Sequence, residues 1–370
     1  MKNKRTVKVK RGRGRTAVIL VLVLFILVGV FGYGTLRSGM QAPGSSEEIV
    51  PFEVAEGDTY GVLGEKLEAA GLIKSAFIYK VYLKTLKNLG TLYAGYYPLS
   101  SSMDLKTVVG TISSGKTYNP FAFNVTFPEG SDVPDIARII ARNTDTGADA
   151  FISAINDREF LTCMIDKYWF LTDEILAEGL YYPLEGYLFP NTYQLTGKDM
   201  APTDIAEMML QQTDSVLTEY KSAIDTSGRT VHQIMTMASI VEMEAGNATD
   251  RAGVAGVFYN RLNSGWTLGS DVTCYYGIQV DVSERDLYLS EINAYNPYNT
   301  RCAQMAGKLP IGPIANPGKD SIYATINPAA SGYYYFVADK NGKVYYSVTL
   351  NEHNATIQRL KNEGLWYEYE

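Results

Sequence analysis

The first pattern in the chain is an almost unbroken apolar run from Ala17 to Tyr33, and nothing after it repeats that composition. At about 17 residues it is just long enough to cross a bilayer core of roughly 30 Å as a single helix. Gln41 to Ile49, with Ala-Pro-Gly-Ser-Ser-Glu-Glu, reads as a short flexible linker. Beyond it the pattern turns to short elements. Phe52-Glu-Val54 alternates as a strand, Glu56-Gly-Asp58 turns, and Val62, Leu63, Leu67 and Ala70 mark a helix stopped at Gly71. A helical stretch over Phe77 to Leu86, a strand at Ala94-Gly-Tyr-Tyr97 and a helix headed by Ser100 to Asp104 complete a small α+β unit. Phe123 to Phe127 alternates again, Pro128-Glu-Gly130 turns, and Ile136, Ile139 and Ile140 mark a helix over Val133 to Ala141, a weak echo of the earlier unit rather than a repeat.

Helical periods dominate the rest. Thr230-Val-His-Gln233 has capping-box spacing, and Val231, Ile234, Ala238, Val241 and Ala245 form one apolar stripe on a helix that should stop at Gly246. Asp250 heads a second helix through Ala252, Ala255, Phe258 and Leu262, broken at Asn263-Ser-Gly265. Ser264 to Lys319 has few helix signals and is rich in Gly, Asn, Pro and Tyr, and a structureless segment that long in a compact domain is usually functional. Within it, Leu309 to Gly318 carries three prolines and two glycines and suits one wall of a groove. A hairpin follows, with Tyr333 to Ala338 and Val344 to Val348 joined through Asp339-Lys-Asn-Gly342, and then a helix from Asn351 with Ile357 and Leu360 inward. The expected fold is α+β: a tail over 1–16, a transmembrane helix over 17–33, a linker over 34–50, modules over 51–117 and 118–200, and a larger domain over 201–370.

Charge then orients the chain. Eight basic residues and no acid lie in the first sixteen positions, which puts that end in the cytoplasm and the remainder outside. A cleaved signal peptide is the rival reading, but the run is longer than a usual signal core, and Leu36-Arg-Ser-Gly-Met40 is a poor cleavage site. Of 33 basic residues 25 remain beyond the tail, against 40 acidic, a balance that argues against nucleic acid as a partner. With only His232 and His353, and no His or Cys cluster at ligand spacing, no metal site or cofactor is expected.

Glu242 and Glu244 are the candidate chemistry. On a helical wheel they fall roughly 70° and 90° to either side of the apolar stripe, so geometry barely separates them and excludes their cooperation. Desolvation beside the stripe would raise the pKa of either and make it a usable proton donor. The competing reading is that both are solvated helix residues, since most carboxylates only face water. The aromatics of Leu184 to Tyr193 read first as core, and second as a lining on which sugar faces stack.

Ala238-Ser-Ile-Val-Glu-Met-Glu-Ala245, Val257-Phe-Tyr-Asn-Arg-Leu262, Ser270-Asp-Val-Thr273, Tyr298-Asn-Thr300, Leu309 to Gly318, Tyr335-Phe-Val-Ala-Asp339 and Glu352-His-Asn354 occur in one order. That order resembles the endolytic murein transglycosylases of the MltG (YceG-like) family. The resemblance implies a membrane-anchored peptidoglycan lytic transglycosylase that cuts MurNAc-GlcNAc bonds of nascent strands to leave 1,6-anhydro ends. It implies a LysM-like module over 51–117 and a catalytic domain over 201–370. By position it implies that Glu242 is the catalytic acid, with Asn260, Arg261, Asp271, Tyr298, Asn299, Glu244 and His353 around the substrate. Arg261 would serve a lactyl or peptide carboxylate, or a purely structural pair. Glycan strands, the membrane and wall-synthesis enzymes are the implied partners. Cys274 and Cys302, both between matched segments, form the more plausible disulfide, with free buried thiols as the alternative. An inactive peptidoglycan-binding scaffold, or a muramidase-type hydrolase needing Asp271 or Glu244 as second carboxylate, are the competing functions.

Overall fold

The computed structural model describes residues 13–366, so most of the basic tail, residues 1–12, lies outside it. Two compact units divide at Phe121 and Ala122.

The first unit opens with α1 (Arg13–Met40), which includes an apolar stretch, Val18–Met40, long enough to cross a membrane. The helix runs past the expected end at Tyr33 and takes in the first part of the expected linker. No proline interrupts it, and its last turn is held: Gly39 packs on Ile78, and the Lys74 ammonium donates to the Ser38 carbonyl at 3.3 Å. β1 (Val50–Val54) pairs antiparallel with β2 (Gly95–Leu99), Val50 facing Leu99. α2 (Tyr60–Ala69), α3 (Ala76–Thr85) and α4 (Leu105–Ser113) complete this unit, and Phe52, Leu63, Leu67, Tyr79, Tyr97 and Ile112 fill its core. The expected inward face of α2 is corrected. Val62 and Ala70 are exposed, because Gly64 brings the helix so close to Tyr79 that a β-carbon there would lie 2.7 Å from the ring.

The second unit joins the segments expected at 118–200 and 201–370 through one core. β3 (Phe123–Thr126) pairs antiparallel with β4 (Thr192–Leu195), and α5 (Val133–Asn143), α6 (Ala148–Ile155) and α7 (Arg158–Lys167) pack beside it. The long α8 (Pro202–Thr226) and α9 (Val231–Glu244) close over that layer, so Phe127, Ile136, Leu210, Ile234 and Ala238 share a single apolar cluster. Tyr187, Phe189 and Tyr193 are buried in it, as the core reading of their segment expects.

α10 (Arg251–Asn263), α11 (Asp271–Ile278), α12 (Leu289–Asn293) and α13 (Lys319–Ile326) follow. The hairpin of β5 (Tyr335–Ala338) and β6 (Val344–Ser347) then leads into α14 (Leu350–Asn362). Its turn needs Gly342 at φ 81°, while the Asp339 carboxylate accepts from the N–H groups of Asn341 and Lys343. α11 has a β-type local sequence, Asp-Val-Thr-Cys-Tyr-Tyr-Gly-Ile, and is helical because Thr273, Cys274 and Tyr276 are buried on it. Cys163, Cys274 and Cys302 are all free thiols, the last two buried, with Cys302 Sγ 3.2 Å from the Asn299 carbonyl.

Candidate active site

α9 positions the site. Thr230 and Gln233 form the expected capping box, each side chain bonded to the other's backbone N–H at 3.2 Å. From Ile234 to Val241 the helix is buried all round rather than on one stripe, because α10, α11 and α13 pack against it. It ends at Glu244 without the expected glycine stop: Ala245 is extended at φ −95°, ψ 109°. The two glutamates therefore leave the protein interior on opposite sides of the final turn.

Glu242 enters a charge cluster. One carboxylate oxygen accepts from the Arg251 guanidinium at 2.7 Å and the other from the Gly318 N–H at 2.9 Å. The two side chains are 7 % and 10 % exposed, so this is a buried ion pair that ties α9 to α10 and to the 309–318 loop. Glu129 and Asp320 approach the same guanidinium at 3.5 Å and 3.6 Å. Burial and the Glu242 charge push Glu129 above the usual carboxylate range.

Glu244 faces a cleft of about 510 Å³, lined also by Arg261, Trp266, Asp271, Arg301, Tyr335 and His353. The Ser270 hydroxyl donates to one Glu244 oxygen at 2.6 Å. Burial raises the Glu244 pKa. The Ser270 bond opposes that shift, Asp271 adds to it, and Arg261 and Arg301 oppose it from farther off. The group is thus biased toward the protonated form beside an open volume.

Of the residues expected around substrate, the cleft collects Glu244, Arg261, Asp271 and His353. Arg261 is largely committed to structure, its Nε donating to the Tyr334 carbonyl at 2.7 Å and Nη1 to the Leu268 carbonyl. Asp271 pairs with Arg301 at 2.7 Å. The His353 ring stacks on Tyr335, centroids 5.4 Å apart, and burial together with Arg261 lowers its pKa, which favours the neutral imidazole.

Three of the expected residues are not brought to the cleft. Asn260 holds the segment that leads into β5, its amide donating to the carbonyls of Ser331 and Tyr333, both at 2.8 Å. Tyr298 is fully buried between Tyr181 and Tyr276. Asn299 is also buried, and its amide donates to the carbonyls of Glu291, Ile292 and Ala294. These side chains shape the wall without reaching the cavity. Sequence reasoning passed over Ser270, Trp266 and Arg301 as individuals. Ser270 opens one segment already singled out and Arg301 directly follows another, and those positions were the available signal. Among the described residues no group of three or more metal-ligating side chains is assembled.

Residues 52–359 match the YceG-like family. The chain is 34 % identical over 322 residues to an endolytic murein transglycosylase of Bacillus subtilis, covering 86 % of this chain and 87 % of that protein. A Streptococcus pneumoniae protein of the same name is 33 % identical over 352 residues, 91 % of this chain and 63 % of the relative. The crystal structure of a YceG-like protein from Listeria monocytogenes superposes with a TM-score of 0.59 at 34 % identity, covering 84 % of this chain and all of that one.

Proposed function

The chain belongs to the YceG-like family, and from that premise we propose that it is a membrane-anchored lytic transglycosylase acting within the glycan strands of peptidoglycan. The observation that carries the reading is the Glu244 carboxyl, held by Ser270 at 2.6 Å in a cleft whose lining includes the aromatic side chains of Trp266 and Tyr335, with burial raising its pKa. The acid we assign is Glu244, two residues beyond the position that the family resemblance implied. Glu242 is committed to Arg251 and Gly318, and its carboxylate serves to hold the helix end and the 309–318 loop in place.

A lytic transglycosylase needs neither an external water nor a second carboxylate. Protonated Glu244 donates to the glycosidic oxygen as the bond from C1 of the muramoyl sugar breaks, which releases the N-acetylglucosamine hydroxyl. The resulting carboxylate takes the proton of the muramoyl C6 hydroxyl as that oxygen bonds to C1, closing the 1,6-anhydro ring and restoring the acid. The tethered nucleophile carries a large proximity advantage. Ser270 keeps the carboxyl in register through both steps, and Trp266 and Tyr335 offer faces for sugar rings. α1 would hold this activity at the outer face of the membrane, where strands are made, with the basic tail inside. Cuts there would end strand elongation, and the β1–β2 unit would serve as a LysM-like glycan contact or as a spacer.

The test is mass spectrometry of fragments released from purified peptidoglycan by the full-length protein in detergent, beside Glu244→Gln and Glu242→Gln variants. Anhydro-muramoyl ends that vanish in Glu244→Gln and persist in Glu242→Gln support the assignment. Reducing ends would instead indicate a hydrolase using Asp271 as the second carboxylate, and no release by the unaltered protein would leave a binding scaffold.

A further inference from the structure

We propose that Arg301 gives the cleft its specificity for a free carboxylate on the peptide stems of the glycan, an inference that rests on the function proposed above. The sugars of a peptidoglycan strand present hydroxyl and acetamido groups, which carry no charge. With peptide on the lactyl group, the negative charge of such a strand lies on its stems. A guanidinium turned toward the cavity therefore has the stems as its complement.

Of the two arginines at the cleft, only one is free for this. Arg261 is half-buried and uses Nε and Nη1 on the Tyr334 and Leu268 carbonyls. The Arg301 side chain is 37 % exposed, and its bonds all run through Nη1, to Asp271 at 2.7 Å and to the Gly269 carbonyl at 3.4 Å. Its Nε and Nη2 make no hydrogen bond among the described residues, leaving the forked edge that takes a carboxylate through two parallel bonds. Asp271 is 57 % exposed, so its pair with Arg301 is of the exposed, weakly held kind and open to exchange. The backbone beneath is rigid: the Arg301 N–H donates to the Asn299 side-chain oxygen at 2.9 Å, and Asn299 is fixed by three carbonyls. Asp271 thus holds Arg301 at the cleft wall, and a stem carboxylate exchanges for it.

Binding is read by fluorescence anisotropy with labelled, uncrosslinked strand fragments and full-length protein in detergent, so the readout does not depend on turnover. One fragment set carries native stems; in the other, carbodiimide and ammonia have converted the carboxylates to amides. The unaltered protein should bind the amidated set about tenfold more weakly, as expected for one charge-assisted contact. Arg301→Ala should lose about tenfold on native fragments and less than twofold more on amidated ones, and Arg301→Lys should recover part of the loss. Equal binding of the two sets by the unaltered protein would overturn the proposal. So would an equal loss on both sets in Arg301→Ala, the signature of a merely structural role. Product analysis of the same mixtures separates the readings: reducing ends with the same carboxylate dependence would refute the lytic mechanism and leave the subsite standing.

Discussion

Replacing Glu242 with glutamine removes one negative charge from a cluster whose cation is Arg251, while replacing Glu244 removes the proton donor we propose for the cleft, and the two should fail differently. Glu242 accepts from Arg251 at 2.7 Å and from Gly318 N–H at 2.9 Å. Glutamine keeps one acceptor, so its amide nitrogen must face one of those donors. The loss is one charge-assisted bond of about 1.5–3 kcal/mol. Removing one partner of a fully buried pair costs about 3–5 kcal/mol, but Glu129 and Asp320, at 3.5 Å and 3.6 Å, keep Arg251 from being left uncompensated. We therefore expect about 2–3 kcal/mol, which for a unit of this size lowers Tm by roughly 4–12 °C. Cleavage below the transition should stay within about tenfold of the unaltered protein. Glu244→Gln should leave Tm within a few degrees and lose roughly a hundred- to ten-thousand-fold in rate, the usual contribution of a general acid. Calorimetry and release of anhydro-muramoyl ends, run on the same preparations, give both axes. If Glu242→Gln abolished cleavage at an unchanged Tm, the reasoning would be refuted and the first glutamate would be the acid.

Other outcomes follow from the same contacts. Ser270 donates to the Glu244 carboxyl and so favours its ionised form; in Ser270→Ala the pKa rises further, and the alkaline limb of the rate profile should move to higher pH. An unmoved limb would separate Ser270 from the acid. Glu185, fully buried and bonded to Val133 N–H, Tyr276 and Asn316, is pushed up from 4.5 to about 8. Between those values the unfolded chain ionises before the folded one, so stability should fall as pH rises from about 4.5 to about 8, by on the order of 5 kcal/mol over the window. Glu185→Gln should flatten that slope in denaturant titrations at successive pH values, and an identical slope would show that other groups set it. Thr230→Ala breaks the capping box of α9 and should cost about 1 kcal/mol by chemical denaturation.

The local elements were largely legible. The apolar run, the capping box at Thr230, the hairpin turn at Asn341-Gly342 and the helix that delivers both glutamates follow from residues within a few positions of one another, because hydrophobic period, caps and turn chemistry act at that range. The order of short segments from Ala238 to Asn354 was also enough to identify the family. What the sequence could not decide was which glutamate meets the cleft. Both lie near the end of one helix, symmetrically about its apolar stripe, and nothing local breaks the tie. The tie is broken by groups distant in sequence: Gly318, 76 positions away, takes Glu242, and Ser270, 26 positions away, takes Glu244. The same holds for Asn260, Tyr298 and Asn299, whose polar groups looked available for substrate and are consumed by backbone carbonyls and rings of the wall. A buried polar group must find a partner, and which partner it finds depends on what tertiary packing brings alongside.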